Sequence, residues 1–319
     1  MDGTLVDLAF VLCGFALLMF GGESLVQGAT RISQSLNVSP LVVGFTVVAI
    51  GTSLPELAVA IEAIESEAPN IAVGGVLGSN VANVMLVLGA AAVLGARSDS
   101  EIGVSRDALA VVVATLFMAI FVYNGEVPLL GGVTMLTCLV CYYYYTYSIA
   151  IAGEDAYEFE DSWLPNKMSL AIPACAVGGV MIWYGAELLV TGSTNIAETF
   201  GVSEAVIGLT MVALGTSLPE LAVTLVAGLR GQAGVAVGNV LGSNVMNIMG
   251  IIGIASIFGN GIPVDSEFQR DIVVVMATSG FVVWILMSNR EFTKNMGSMM
   301  ILTYLLYMTY LSGFLDGLF

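Results

Sequence analysis

Residues 51–59, with the sequence Gly-Thr-Ser-Leu-Pro-Glu-Leu-Ala-Val, establish the architecture of this chain because the same nine residues recur unchanged at 215–223. Two further matches lie at the same offset: 23–30 with 187–194, and Gly78-Ser79-Asn80-Val81 with 242–245. All three matches share one offset, with no insertion or deletion between them. Chance does not produce such agreement. The pattern predicts that the chain is a duplication of one structural unit.

The composition predicts an all-α integral membrane protein, with the lipid bilayer as its surroundings. The chain has 319 residues, 57% of them hydrophobic and only 10% charged, whereas soluble domains carry about 25% charged residues. A net charge of −17 excludes nucleic acid as a partner, because such binding needs a basic surface. The chain has no histidine, which excludes histidine metal sites and Ser-His-Asp catalysis. We expect neither an enzyme nor a prosthetic group, and no obligatory protein partner is evident.

Apolar runs long enough to cross a bilayer, about 20 residues each, predict ten transmembrane helices. The predicted spans are 6–30, 39–61, 71–95, 104–123, 127–152, 168–196, 204–229, 234–258, 270–288 and 296–315. Each half of the duplication then holds five spans. Because five is odd, the two repeats have inverted topology, an arrangement that places transport sites at the repeat interface. The predicted domains are 1–152, a linker at 153–167, and 168–319.

The eight basic residues predict the orientation. With the N-terminus outside, only Arg270 lies in an outer loop, and the other seven fall inside. These seven are Arg31, Arg97, Arg106, Lys167, Arg230, Arg290 and Lys294. Such a bias follows the positive-inside rule. It predicts that both termini are extracellular or periplasmic and that the 153–167 linker is cytoplasmic.

The repeated motif places one ionisable residue inside an apolar span of each half, Glu56 and Glu220. A carboxylate at membrane depth is costly and marks a functional site. The preceding prolines, Pro55 and Pro219, free the carbonyl groups four residues before them, which become candidate cation ligands. Hydroxyl groups on nearly the same helix face complete this part of the set: Thr52, Ser53, Thr216 and Ser217.

Spans three and eight supply the remaining candidates, at a spacing of four residues that places each pair on one helix face. These pairs are Ser79 with Asn83, and Ser243 with Asn247. We interpret the adjacent Asn80 and Asn244 as structural hydrogen bonders. The glycine pairs Gly74 with Gly78 and Gly238 with Gly242 would let the helices approach closely.

All these candidate ligands are oxygens, so the set predicts a site for Ca²⁺, Mg²⁺ or Na⁺ rather than zinc or copper. Two carboxylates balance one Ca²⁺, and Mg²⁺ fits a flexible cage less well. Two carboxylates about 6 Å apart repel by roughly 2.8 kcal/mol at an effective dielectric of about 20. We therefore expect the empty pair to take up a proton and Ca²⁺ binding to weaken at acid pH.

Gly-Thr-Ser-Leu-Pro-Glu followed by Gly-Ser-Asn-x-x-Asn, present twice, resembles the alpha repeats of the cation/calcium exchanger superfamily, in particular its prokaryotic sodium/calcium exchangers. The resemblance covers essentially the whole chain. It implies an antiporter in a prokaryotic cell membrane that moves about three Na⁺ against one Ca²⁺, while spans one and six slide across the rest. It implies Ca²⁺ and Na⁺ as transported ions.

The resemblance also implies roles for individual residues. Glu56 and Glu220 would be shared by Ca²⁺ and Na⁺. The Thr-Ser pairs would serve flanking Na⁺ sites with the backbone carbonyls of Ala49 and Ala213, and the serines and asparagines of spans three and eight would complete the ring. Some relatives, including potassium-dependent exchangers, carry Asp where this chain has Asn247, so Asn in both halves resembles the potassium-independent kind.

Other functions stay open at this stage. A Ca²⁺/H⁺ antiporter on the same fold is the main alternative; its relatives usually lack the Thr-Ser pair before the glutamate. A channel would conduct without a counter-ion. An intramembrane hydrolase would need a nucleophile and base arrangement that the motif lacks. The symmetry-related Glu23 and Glu187 are interpreted as structural residues, with gating as the alternative.

Overall fold

The structure is a computed structural model, and it describes residues 2–95, 104–152, 162–200, 213–288 and 292–311. Nearly all of these residues are helical. This follows from the long apolar runs, because a chain surrounded by lipid must satisfy its backbone hydrogen bonds within each segment. Arg97, Arg290, most of the predicted linker and the first part of predicted span seven (204–212) lie outside the described residues.

The helices, numbered in chain order, occur in each of the ten predicted spans. They are α1 (Asp2–Leu36), α2 (Pro40–Val43), α3 (Ala49–Thr52), α4 (Leu54–Glu65), α5 (Pro69–Ala82), α6 (Leu88–Leu94), α7 (Val104–Asn124), α8 (Leu129–Ala152), α9 (Met168–Thr199), α10 (Ala213–Leu229), α11 (Ala233–Val245), α12 (Gly253–Phe258), α13 (Phe268–Met287) and α14 (Lys294–Leu311). Three π-helical segments join consecutive helices of one span: Gly44–Val48, Asn83–Val87 and Met246–Ile252.

Not all of these helices are long and apolar enough to cross a membrane by themselves. Within the described residues seven pass that test, and the bent pair Pro40–Thr52 with Leu54–Glu65 makes eight. The described part of α10 is shorter, and α14 begins with the polar pair Lys294 and Asn295. The protein is thus an integral membrane protein with several spans.

Span two, predicted at 39–61 with Pro55 inside it, is interrupted within the repeated motif. The helix stops at Thr52, Ser53 adopts a turn conformation (φ −87°, ψ 6°), and α4 begins at Leu54 with Pro55 in its first turn. The two parts are bent by 44°. Proline has no backbone N–H and fits the first turn of a helix. In the second half, α10 continues through Pro219, so the same motif has two backbone geometries.

The buried apolar residues form two clusters. The larger holds most of the inner faces of spans three to five and eight to ten, and the smaller lies between α1, α9, α10 and the start of span two. The α1 and α9 helices are antiparallel and meet along a seam of glycines at seven-residue spacing. The seam consists of Gly14, Gly21 and Gly28 on α1 and Gly178, Gly185 and Gly192 on α9.

These two helices touch backbone to backbone along the seam. A Cβ atom added at Gly14 would lie 2.6 Å from the carbonyl oxygen of Gly185, and one at Gly178 would lie 2.7 Å from that of Gly21. Small residues permit such close approach between membrane helices. The seam also follows the duplication, since each α1 glycine has its counterpart 164 positions later.

Connecting segments meet at both ends of the bundle. At one end, β1 (Glu126–Val127) pairs antiparallel with β2 (Ile262–Pro263), and Asn70 Nδ2 donates to Asp265 at 2.5 Å. At the other end, Arg31 donates to the carbonyl groups of Ser162 and Leu164. Each contact requires its two segments to lie on the same side of a membrane.

The duplication extends to spans four, five, nine and ten, where sequence matching does not detect it. The Tyr142 hydroxyl donates to Asp107 at 2.7 Å, and the Tyr307 hydroxyl donates to Asp271 at 2.9 Å. Asp107 and Asp271 hold equivalent positions in the two repeats, and each follows an arginine.

Candidate functional site

The two motif glutamates lie at the centre of the bundle, and their positions depend on the backbone around the prolines. Glu56 is in the first turn of α4, directly after the break at Ser53. A helix start presents unpaired N–H groups and favours a negative charge. Glu220 follows Pro219 inside the continuous helix α10. Both side chains are buried.

Glu220 is surrounded by hydroxyl groups from both repeats. The Ser53 hydroxyl donates to Glu220 Oε1 at 3.2 Å, and Thr52 and Ser243 also lie near this carboxylate. The oxygens of Thr52 and Ser243 are 3.3 Å apart. The second carboxylate oxygen of Glu220 has no partner.

Glu56 has a different environment. Both of its carboxylate oxygens are buried, and neither has a hydrogen-bond partner. A cavity of about 20 Å³ reaches Glu56 and is lined by Gly75, Ser79 and Thr216 among others. The Ser79 and Thr216 hydroxyl oxygens are 3.4 Å apart. A cavity of this size holds about one water molecule.

The structure brings the two carboxylates close enough for mutual electrostatic repulsion. A buried carboxylate without partners is unfavourable unless a cation or a proton neutralises it. Three carboxylate oxygens, two on Glu56 and one on Glu220, lack a hydrogen-bond partner among the described residues. A cation or a proton could therefore neutralise the pair.

Three more predicted ligands are buried with unused polar atoms. Asn83 and Asn247 lack a partner at both amide atoms, and the Ser217 hydroxyl also lacks one. Asn83 begins the π-helical segment Asn83–Val87, and Asn247 is the second residue of Met246–Ile252. Such segments are frequent at functional sites. No pattern in the sequence indicated these segments.

Asn80 and Asn244 hydrogen-bond through their amide nitrogens, while both amide oxygens are buried without a partner among the described residues. The Asn80 amide donates to the Asn244 carbonyl oxygen at 3.2 Å, and the Asn244 amide donates to that of Asn80 at 3.4 Å. Residues that are equivalent in two repeats contact each other only near the axis that relates the repeats. This pair therefore marks the axis between spans three and eight.

Of the two predicted backbone ligands, the structure describes the contacts of Ala49 but not the side chain of Ala213. The Ala49 carbonyl accepts a hydrogen bond from the Ser53 N–H at 3.0 Å and lies 3.3 Å from the Thr52 hydroxyl. Ala213 begins the described part of α10, and its side chain lies outside the described residues. Side-chain contacts join Thr52 with Ser243, Ser53 with Glu220, and Ser79 with Thr216.

The sequence analysis missed Asn239. This buried residue lies on α11 and contacts Thr52, Thr224 and the Glu220 backbone. Its equivalent in the first repeat is Gly75. A mismatch between two otherwise similar repeats was the signal that could have found it.

Glu23 and Glu187 occupy different environments despite their symmetry. Glu23 forms an ion pair with Arg230 at 2.9 Å and accepts hydrogen bonds from Gln27 at 3.1 Å and from the Trp163 indole at 3.0 Å. Glu187 is exposed. Glu23 therefore joins α1 to the end of α10 and to the segment before α9, away from the paired carboxylates.

The chemistry that this site supports is reversible binding of a hard cation. Among the described residues no group of three or more His, Cys, Asp or Glu side chains could hold a metal ion, so neutral oxygens must supply most ligands. Hydroxyl and amide oxygens suit ions that must also leave, because they bind more weakly than additional carboxylates would.

Comparisons with known proteins agree with this chemistry. The family model described as sodium/calcium exchanger protein matches residues 6–148 and 170–313. The putative antiporter CaxA of Alkalimonas amylolytica is 33% identical over 290 residues, covering 86% of this chain and 88% of that protein. The sodium/calcium exchanger MaX1 of Methanosarcina acetivorans is 31% identical, covering 79% and 83%. A solved structure of the sodium-calcium exchanger NCX_Mj, soaked with zero Na⁺ and Ca²⁺, has a TM-score of 0.83 at 29% identity and covers 97% of this chain and 99% of its own.

Proposed function

Because the chain belongs to the sodium/calcium exchanger family, a family of membrane transporters and not of enzymes, we propose that it exchanges Na⁺ for Ca²⁺ by alternating access. The observation that carries this proposal is the pair of buried glutamates with three unpartnered carboxylate oxygens. Their two charges balance one Ca²⁺, and the surrounding hydroxyl and amide oxygens can complete a cation's coordination.

The proposed ion ligands fall into three groups. Glu56 and Glu220 bind Ca²⁺ and Na⁺ in turn. The Thr-Ser pairs serve Na⁺ with the backbone carbonyls of Ala49 and Ala213, and the serines and asparagines of spans three and eight close the ring. In full, the set is Ala49, Thr52, Ser53, Glu56, Ser79, Asn83, Ala213, Thr216, Ser217, Glu220, Ser243 and Asn247.

We propose that all ten helical spans cross the membrane, as two inverted repeats at 1–152 and 168–319 joined by the 153–167 linker. Contacts between connecting segments support this topology. The β1–β2 pair requires an even number of crossings between its strands, and spans five to eight supply four. The contact of Arg31 with Ser162 likewise encloses four spans, two to five.

The bias of the basic residues orients this bundle in a prokaryotic cell membrane. It assigns the β1–β2 end to the outside, together with both termini, and the Arg31 end to the cytoplasm. The cavity at Glu56 is lined by Val59 and Ile71, which lie toward the outer ends of their helices. The proposed state therefore gives Ca²⁺ access to Glu56 from outside.

The proposed stoichiometry is about three Na⁺ for one Ca²⁺, so that each cycle moves net charge. A Ca²⁺/H⁺ antiporter on the same fold is the alternative, because a proton can also neutralise a buried carboxylate pair. The Thr-Ser pairs next to both glutamates favour Na⁺, since they add neutral oxygens that a proton does not need.

Radioactive Ca²⁺ uptake into proteoliposomes tests the proposal. Vesicles preloaded with Na⁺ are compared at fixed pH with vesicles preloaded with K⁺ or choline. We expect uptake only with internal Na⁺, and faster uptake when valinomycin and K⁺ compensate the charge that exchange moves. Uptake that ignores Na⁺ but follows an imposed pH gradient would assign the protein to the proton-coupled alternative.

A further inference from the structure

Asn239 and its contact Thr224 are buried polar side chains where the first repeat has Gly75 and Ala60. Asn239 is completely buried, and both its amide nitrogen and its amide oxygen have hydrogen-bond partners. Its amide nitrogen donates to the Glu220 carbonyl oxygen at 3.3 Å and to the Thr224 hydroxyl at 3.0 Å. Its amide oxygen lies 3.1 Å from the Thr52 hydroxyl.

These contacts determine which way the Asn239 amide points. A backbone carbonyl only accepts, so the amide group next to Glu220 must be the donor nitrogen. The opposite orientation would place two oxygens 3.3 Å apart without a proton between them. The amide oxygen therefore faces Thr52, and because that oxygen only accepts, Thr52 must donate its single hydroxyl proton to Asn239.

This orientation has a consequence for Thr52 as an ion ligand. A hydroxyl binds a cation through a lone pair, so its proton has to point elsewhere. With its proton directed to Asn239, the Thr52 oxygen keeps its lone pairs free to accept from the Ser243 hydroxyl, 3.3 Å away, or to bind a cation. The Ala49 carbonyl is the other acceptor within reach, at a longer 3.3 Å.

The equivalent threonine has no such partner. Gly75 stands where the second repeat has Asn239, and a Cβ added at Gly75 would meet nothing within 4 Å. The Thr216 hydroxyl lies 3.4 Å from Ser79 and faces the cavity at Glu56. The two threonines thus share their sequence context, and among the described residues only Thr52 contacts an amide oxygen.

We propose that Asn239 is a positioning residue that directs the Thr52 hydroxyl proton away from the transported cation, so that the Na⁺ site at Thr52 is preorganised and the one at Thr216 is not. This inference rests on the proposed Na⁺ role of the Thr-Ser pairs. Asn239 acts through Thr52, so its effect must vanish when Thr52 can no longer bind a cation.

A double-mutant cycle on the full chain in proteoliposomes tests this dependence, with the internal Na⁺ concentration for half-maximal Ca²⁺ uptake as the readout. Asn239→Ala should raise that concentration about tenfold, the equivalent of one lost hydrogen bond. In a Thr52→Val background the same substitution should raise it less than about twofold. The matched control is Thr216→Val, in which Asn239→Ala should still cost about tenfold.

An equal effect of Asn239→Ala in both threonine backgrounds would show a general structural role and overturn the inference, as would an unchanged Na⁺ dependence in Asn239→Ala alone. Rescue provides a second criterion: Thr52→Ser keeps the hydroxyl and should keep the full sensitivity to Asn239→Ala.

If Asn239→Ala does not fold, Asn239→Asp replaces it, because an aspartate oxygen still accepts the Thr52 proton. Thr52→Val must then raise the half-maximal Na⁺ concentration in the Asp background, and the absence of that effect overturns the inference.

Failure of antiport itself is recognised separately, as wild-type uptake that ignores Na⁺. The cycle is then measured by Na⁺ protection against thermal unfolding in detergent, which requires binding but no transport. If the effects of Asn239→Ala and Thr52→Val on this Na⁺ protection are not additive, the role of Asn239 is retained. If they are additive, that role is rejected.

Discussion

The carboxylates of Glu56 and Glu220 should be individually indispensable for Ca²⁺. At an effective dielectric of about 20, a unit charge 4 Å away is worth about 4 kcal/mol, or roughly a thousandfold in affinity. Glu56→Gln and Glu220→Gln should therefore abolish Ca²⁺ uptake into Na⁺-loaded proteoliposomes. Glu65→Gln is the control, because Glu65 is exposed at the end of the helix that carries Glu56. Wild-type uptake by either site variant would refute the ligand assignment.

Protons should compete with Ca²⁺ for the same carboxylates. The two groups are buried, repel each other and lack partners on three oxygens, so a proton relieves the same unfavourable charge that Ca²⁺ relieves. We expect the Ca²⁺ concentration for half-maximal binding to rise as pH falls from 8 to 5, with little change in the number of sites. Equilibrium Ca²⁺ binding to purified protein measures this directly. An affinity independent of pH across that range would contradict competition.

The repeated motif made most of the candidate ligands predictable, because an ionisable residue with the same neighbours in two apolar spans has few structural explanations. Asn239 could not be predicted in the same way. Repeat matching highlights what the halves share, whereas Asn239 matters because Gly75 differs from it. Its role depends on the direction of an amide group, and that direction is set by the Glu220 backbone from another helix.

At the level of helices, hydrophobic periodicity and span length predicted where segments occur but not their internal geometry. The repeated motif predicts two equivalent spans around Pro55 and Pro219. The structure breaks the first and bends it by 44°, whereas the described part of the second is one continuous helix. The π-helical segments at Asn83 and Met246 were also not predicted. They depend on packing against neighbouring helices, and no local residue preference indicates them.

The glycine seam between α1 and α9 predicts that added side-chain volume is harmful there and harmless nearby. In Gly14→Ala the new Cβ would lie 2.6 Å from the Gly185 carbonyl oxygen, and overpacking of this kind costs typically about 1–3 kcal/mol. We expect a lower thermal unfolding temperature in detergent together with slower Ca²⁺ uptake. Gly179→Ala is the control on α9, since its Cβ would meet nothing within 4 Å. Equal behaviour of both variants would show that the seam is not tightly packed.

For the complete bundle, eight basic residues and the duplication predict an order of crossings, and that order stays a prediction. The contacts between connecting segments were not predictable, because they join stretches that are far apart in sequence. Arg31 reaches Ser162, and β1 pairs with β2. Each contact is compatible with the proposed topology. Neither contact entered the prediction made from the basic residues.

The proposed topology predicts opposite labelling of two exposed positions, Glu126 in β1 and Asn166 before α9. The four cysteines of the chain are unpaired and would first be replaced by serine or alanine: Cys13, Cys138, Cys141 and Cys175. In this background Glu126→Cys should react with a membrane-impermeant maleimide in intact cells. Asn166→Cys should react only after permeabilisation, because the Arg31 contacts hold its segment at the cytoplasmic end of the bundle.

The labelling pattern separates the two parts of the proposal. Labelling of both positions from the same side would contradict the number of crossings between them, because an odd number of spans, only span five, separates β1 from the segment before α9. Exchange of the two results, with Asn166→Cys labelled in intact cells, would keep the crossings but reverse the orientation. The cavity that reaches Glu56 would then open to the cytoplasm, and Ca²⁺ would enter the described state from inside the cell.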